Sequence, residues 1–286
     1  MRLPGVGLLL GVFACSGPAP EEKAGPWDDL PPVLEPNAEL GELPAREDQY
    51  RALCGQPRQD SFFLSVCGAQ RPEIPDLASL IRLVGLDQNR AFALTGNSTS
   101  LVKASVSAVN PRAILFPRVD EALTKLPQLT ALTFVRGEPF VEVVSRDLSS
   151  GELNFYLLSF ERACDYKGGC DLASRLTDEI EHGWTSYSIY SEQDLENTAL
   201  DCLSCHQPAG HGTSKILRMQ ELENPWLHWF PQRFVQRTDS DRILTAQFLE
   251  AHALDSQYAG IPISSIASGL DDGSGAQLEA LIGQNL

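Results

Sequence analysis

The sequence has few basic residues, and this shortage limits the partners that the protein can bind. Lysine and arginine total 22 against 38 aspartate and glutamate residues, so the formal net charge is −16. A surface of this charge repels nucleic acid and favours cationic partners. We therefore expect no nucleic-acid partner and, for any partner protein, a cationic contact surface.

Several catalytic signatures and long apolar runs are also absent from the sequence. There is no G-x-S-x-G, H-E-x-x-H or P-loop pattern, so the hydrolases, metalloproteases and nucleotide-binding enzymes that carry them have no sequence support. After residue 14, no stretch is long and apolar enough to span a bilayer. The apolar content of 43% and charged content of 21% are nevertheless typical of a globular protein.

The first fourteen residues have the pattern of an export signal. Arg2 is followed by an apolar run, residues 3–14, that is too short for a mature transmembrane helix. Val12-Phe13-Ala14-Cys15 resembles the lipobox of bacterial lipoproteins. That resemblance implies that residues 1–14 are a signal peptide and that Cys15 carries acyl chains that anchor the protein in the cell envelope, on its periplasmic or outer-membrane side. An ordinary cleaved signal, with Cys15 lost, is the alternative.

The remaining chain divides by composition and periodicity. Residues 15–45 are rich in proline and glutamate and predict a tether. Within 46–170, Asp76 is a candidate helix cap, and four segments with β-strand character (112–116, 129–136, 139–146 and 153–161) predict an antiparallel meander. Residues 171–286 have helical patterns at 172–182, 214–223, 240–254 and 277–282. The fold class expected is therefore α+β, with a small antiparallel β meander before a mostly α region.

Seven cysteines are present, and six remain after Cys15 is set aside. Cys202 and Cys205 belong to one short motif. In an oxidising compartment the other four are candidates for two local disulfides, Cys54–Cys67 and Cys164–Cys170, although sequence alone does not establish this connectivity.

The motif Cys202-Leu203-Ser204-Cys205-His206 carries the chemistry of the chain. CxxCH is the attachment signature of c-type haem. Two thiols at this spacing reach the two vinyl groups of the porphyrin, and the adjacent histidine becomes the proximal iron ligand. A zinc site using both cysteines with His206 and His211 is the alternative that the residues leave open.

The sixth iron ligand is assigned provisionally to Met219, the only methionine besides Met1. A methionine ligand raises the reduction potential, as suits an electron carrier. Met219 follows His206 by only thirteen residues, and core packing is its other reading. His228 is the best alternative ligand, and the remaining histidines are His252, His211 and His182.

With this motif, residues 171–286 resemble a mono-haem cytochrome c domain, and the whole chain resembles bacterial cytochrome c lipoproteins. The resemblance implies one covalent haem c, electron transfer at a membrane surface and a redox partner protein. Two alternatives stay open: a peroxidase-like haem enzyme or sensor with an open distal site, and a surface binding lipoprotein without haem. Electron transfer is favoured over enzymatic activity because no distal acid–base pair is evident.

Overall fold

The structure, a computed structural model, describes residues 43, 46–88, 90–96, 106–118, 129–166, 169–217, 239–267, 278 and 282. The helices are α1 (Arg46–Cys54), α2 (Ser61–Val66), α3 (Leu77–Leu83), α4 (Leu172–Arg175), α5 (Leu203–His206), α6 (Asp239–Ala251) and α7 (Ile263–Ala267). The strands are β1 (Arg90–Thr95), β2 (Arg112–Pro117), β3 (Thr130–Phe134), β4 (Phe140–Arg146), β5 (Leu153–Arg162), β6 (Trp184–Ser191), β7 (Gln257–Tyr258) and β8 (Ile261–Pro262). None of the helices in these ranges combines the length and apolar character needed to cross a bilayer.

One antiparallel sheet dominates the fold. Strands β1 to β6 lie side by side in chain order, and each pairs with the next. Because side chains alternate along a strand, each strand presents one row of residues to each face of the sheet. Both faces of this sheet are apolar, which explains the nearly continuous burial of β2 to β5.

The first face of the sheet is covered by helices. Asp60 and Asp76 begin α2 and α3, because each carboxylate accepts a hydrogen bond from a backbone N–H in the first turn, at 2.9 Å and 2.6 Å. The cap predicted at Asp76 is thereby confirmed. Both helices then bury apolar side chains against the sheet, and the cluster includes Phe62, Leu77, Leu80, Val143, Tyr156, Leu158 and Phe248.

The second face of the sheet packs against later parts of the chain. Its central apolar cluster contains Ala93, Ile114, Phe116, Ala131, Val144 and Phe155 from the strands, with Leu217, Leu278 and Ile282 from the C-terminal region. Cys202 packs against this cluster and against a neighbouring one formed around Phe140, Leu157 and Tyr190. The motif identified from sequence therefore lies on the second face.

The prediction of a mostly α C-terminal region is wrong. The four predicted strand segments correspond to β2 to β5, but the sheet continues with β6, which lies within residues 171–286 and pairs with β5. Aromatic and β-branched residues in Trp184-Thr-Ser-Tyr-Ser-Ile-Tyr-Ser favour a strand, and in the strand paired with β5 all of them except Thr185 are buried. The helix predicted at 172–182 stops at Arg175 and is followed by a 3₁₀ turn, whereas α6 corresponds to the helix predicted at 240–254.

The disulfides have the pairing that proximity in sequence suggested. Cys54 at the end of α1 is bonded to Cys67 just after α2, and Cys164 is bonded to Cys170 beyond β5. Each bond closes a short loop, so each restricts the unfolded chain locally.

A buried ion cluster joins one end of the sheet to the C-terminal elements. The side chain of Arg136, after β3, has no solvent exposure. Its guanidinium donates to the Glu181 and Asp255 carboxylates at 2.7 Å and 2.5 Å, and to the Gln257 carbonyl at 2.8 Å. Burial alone would lower the pKa of Arg136, but these carboxylates raise it above its ordinary value. The guanidinium therefore stays charged and connects α6 to the sheet.

Candidate functional site

The motif residues lie on a single helical turn that follows β6. Cys202 is the N-cap of α5, and its carbonyl accepts hydrogen bonds from the N–H groups of Cys205 and His206 at 3.3 Å and 3.0 Å. Residues spaced by three and four positions share one face of a helix, so the turn presents Cys202, Cys205 and His206 together. Among the described cysteines, Cys202 and Cys205 are the two that form no disulfide.

Asp201 supports this turn from its N-terminal side. Its carboxylate accepts a hydrogen bond from the N–H of Leu203 at 2.9 Å, and its carbonyl accepts one from the Ser204 hydroxyl at 2.8 Å. Asp201 also accepts a bond from the N–H of Asn197, which holds the preceding loop. These bonds stabilise a helix that is too short to be stable by itself.

Two contacts with described residues hold the imidazole of His206. Its Nδ1 atom lies 3.0 Å from the carbonyl oxygen of Ile216, and the Ile216 N–H donates to the His206 carbonyl at 2.8 Å. Because a carbonyl only accepts, this hydrogen bond requires a proton on Nδ1, and in the neutral ring it leaves the lone pair on Nε2. The ring also stacks on Phe155 of β5, with centroids 4.1 Å apart and planes 22° from parallel. Ring orientation and tautomer are thus both determined.

The thiol of Cys202 is held in its neutral form. Burial raises the pKa of Cys202 well above its ordinary value, and the negative charges of Glu142, Glu192 and Asp201 raise it further. Without a bound metal ion, the neutral thiol is therefore the favoured form at this position.

Glu192, immediately after β6, is the buried carboxylate nearest in the chain to this turn. It accepts hydrogen bonds from Arg58 at 2.9 Å, from Lys215 at 2.6 Å and from the N–H of Phe155 at 3.2 Å. Burial alone would raise the pKa of Glu192, but Arg58 and Lys215 lower it below the ordinary value. The carboxylate is therefore ionised and fully paired.

The described histidines other than His206 are poor candidates for an iron ligand. His252 is buried, with Nδ1 2.9 Å from the Asp255 carboxylate and Nε2 2.9 Å from the Val109 carbonyl. His211 is exposed and lies 3.3 Å from Glu196, and His182 is also exposed. The provisional ligand Met219 and its alternative His228 lie outside the described residues, as do Cys15 and the tether up to residue 42.

The zinc alternative receives no support from side-chain positions. Across the part of the chain that the structure describes, one group of three potential ligands comes together, and it consists of Cys164, Asp165 and Cys170. The sulfurs of that group are already joined in a disulfide. The motif cysteines form no such group with His206 and His211.

Sequence reasoning missed three contributors to the site. Phe155 lies in a segment predicted only as a strand, and no sequence motif includes Glu192 or Lys215. The structure pairs Lys215 with Glu192. No local pattern marks these residues, because their positions around the motif depend on the pairing of β5 with β6 and on the return of the chain at Ile216.

Comparisons with protein-family models, with curated proteins and with solved structures found no match to the chain.

Proposed function

We propose that this protein is a lipid-anchored electron-transfer protein of the bacterial cell envelope that carries one covalently attached c-type haem. The observation that carries the proposal is the single turn that presents Cys202, Cys205 and His206 together, with the His206 ring held by Ile216 and Phe155. A hydrogen bond from Nδ1 to a backbone carbonyl is the usual support of a metal-ligating histidine.

The residues of the turn fit a c-type haem. Each of the two thiols adds across one vinyl group, with sulfur bonding to one carbon and hydrogen to the other, so no atom is lost and no oxidant is consumed. His206 offers the Nε2 lone pair to iron. The haem supplies a one-electron couple when bound. Because a thioether sulfur is uncharged, it is compatible with the partly buried, acidic surroundings of Cys202.

The acidic composition supports a cationic redox partner. Met219 remains our proposal for the sixth ligand, because the described histidines other than His206 are either exposed or engaged at both ring nitrogens. Met219→Ala tests this assignment. A lower reduction potential with an altered spectrum supports methionine ligation, whereas an unchanged potential and spectrum assign the position to His228 or leave it open, as in a haem enzyme or sensor.

The decisive experiment is the expression of the full chain with a c-type haem maturation system. We expect a c-type spectrum that changes on reduction, and a polypeptide mass increased by about 616 Da, the consequence of two thioether bonds at CxxCH. Cys202→Ser with Cys205→Ser removes both features, while Ser204→Ala, in the same turn, retains them. A colourless wild-type protein with the bare polypeptide mass refutes the proposal, and bound zinc in that protein identifies the alternative.

The lipid anchor is tested separately. We expect Cys15→Ser to lose the mass of the acyl chains and to leave the membrane fraction, because several buried acyl chains provide the anchoring energy. Ser16→Ala is the matched control and retains both. Wild-type protein that is released without acylation contradicts the anchor and leaves the haem proposal unaffected.

A further inference from the structure

The geometry points to a positioning role for Glu192, whose carboxylate anchors two described groups that hold the His206 imidazole. The inference rests on the proposed function in one respect, which is that His206 is taken as the iron ligand. Glu192 lies fourteen residues before His206 and does not belong to the CxxCH motif. Its side chain has no solvent exposure, so its partners are fixed by packing.

The first anchored group is Phe155, on whose ring His206 stacks. Glu192 donates its backbone N–H to the Phe155 carbonyl at 3.0 Å, and one carboxylate oxygen accepts the Phe155 N–H at 3.2 Å. Phe155 therefore has both backbone polar groups bonded to a single residue. This pairing continues the β5–β6 ladder by one position and determines where the Phe155 ring lies on the second face.

The second anchored group is the segment that contains Ile216. The other carboxylate oxygen of Glu192 lies 2.6 Å from the ammonium group of Lys215, whose side chain is 12% exposed. Lys215 immediately precedes Ile216, whose carbonyl accepts the hydrogen bond from Nδ1 of His206. A fixed Lys215 side chain therefore restrains the backbone that selects the tautomer of His206.

Arg58 completes the arrangement. Its guanidinium bonds to the same Glu192 oxygen that accepts the Phe155 N–H, at 2.9 Å, and its side chain is buried. Two cations thus surround one carboxylate, which keeps Glu192 ionised without its contacting His206. Loss of Lys215 leaves the Arg58–Glu192 pair in place, so Lys215→Met interrupts only the connection to Ile216.

The test compares Lys215→Met and Glu192→Gln with the wild-type holoprotein. If these groups acted by charge alone, Glu192→Gln would favour reduced iron and Lys215→Met would favour oxidised iron. If they position His206, both substitutions weaken the Nδ1 hydrogen bond, lower the basicity of the ligand and favour reduced iron. We expect both variants to shift the reduction equilibrium toward reduced iron by up to about tenfold, which is 59 mV for one electron.

Two further variants complete the comparison. Lys215→Arg retains a cation and its hydrogen bond to Glu192, and we expect it to restore the wild-type equilibrium. Glu196→Gln removes an exposed acidic charge that pairs with His211, outside this arrangement, and we expect no more than a small shift. Shifts of opposite sign in Lys215→Met and Glu192→Gln overturn the inference.

A second measurement does not depend on haem. Protein made without haem maturation and labelled with ¹⁵N reports the tautomer of His206 by NMR. We expect the wild-type ring to be protonated at Nδ1 and Lys215→Met to lose that preference severalfold. An unchanged tautomer in Lys215→Met overturns the positioning role. The mass of the matured wild type tests the proposed function separately, so the two failures are distinguishable, and Lys215→Met decides the result if Glu192→Gln does not fold.

Discussion

Substitution of Phe155 by leucine tests whether the sheet itself orients His206, the proposed proximal ligand. Phe155 and Phe116 belong to the same apolar cluster on the second face and are 4% and 0% exposed, but only Phe155 stacks on His206. Phe116→Leu is therefore a matched control that shares the burial and packing loss without the ring contact.

The expected magnitudes follow from this difference. Replacing either ring by leucine costs about 1 kcal/mol through lost packing in a buried cluster. Phe155→Leu costs a further 0.5–1.5 kcal/mol, roughly the value of an aromatic pair beyond its burial. We therefore expect Phe155→Leu to lower the free energy of unfolding by about 1.5–2.5 kcal/mol and Phe116→Leu by about 1 kcal/mol, with unchanged urea m-values.

The assay combines urea unfolding, followed by far-ultraviolet circular dichroism, with a redox titration of the same samples. Only Phe155→Leu should raise the reduction potential, because a looser imidazole makes a weaker Nδ1 hydrogen bond to Ile216. Equal losses of stability in both variants, with equal potentials, would refute the reasoning that the stack holds the ligand.

Three further predictions concern stability. Arg136→Ala should lower the free energy of unfolding by about 3–5 kcal/mol, because it leaves two carboxylates without their buried cation. Arg242→Ala, which removes an exposed ion pair, should lower it by at most about 1 kcal/mol. Urea titration measures both losses. The folded pKa of Glu192 lies below its ordinary value, so the ionised carboxylate stabilises the fold fully above the unfolded pKa of about 4.3, and this stabilisation is lost as pH falls through the folded pKa. Glu192→Gln should therefore make the free energy of unfolding fall less steeply at acid pH. The same acid dependence in the wild type and the variant would contradict this. Replacing both cysteines of a disulfide by serine should lower the free energy of unfolding by about 3 kcal/mol for Cys54–Cys67 and by about 2 kcal/mol for Cys164–Cys170, since the first bond closes the longer loop. Equal decreases in the unfolding temperature of the two variants would argue against loop entropy as the cause.

Local pattern was sufficient for part of the fold. Alternating apolar residues and turn sequences located the segments of β2 to β5, and the carboxylate of Asp76 marked the start of α3. Each of these features depends on neighbours a few residues away. The segment 184–191 was missed, although its aromatic and β-branched residues favour a strand, because helical patterns predicted at 172–182 and 214–223 lie on either side of it. Its strand conformation is stabilised by pairing with β5.

The sequence by itself determined the CxxCH motif, because the spacing of Cys202, Cys205 and His206 is a property of adjacent residues. Only the tertiary structure decided how that chemistry is supported. Phe155, Glu192 and Ile216 come from separate parts of the chain, and their contacts exist only after β5 and β6 have paired and the chain has returned past the motif. Hydrogen bonds and ring stacking act over a few ångströms in space, so the spacing of residues along the chain does not predict which distant residues will form them.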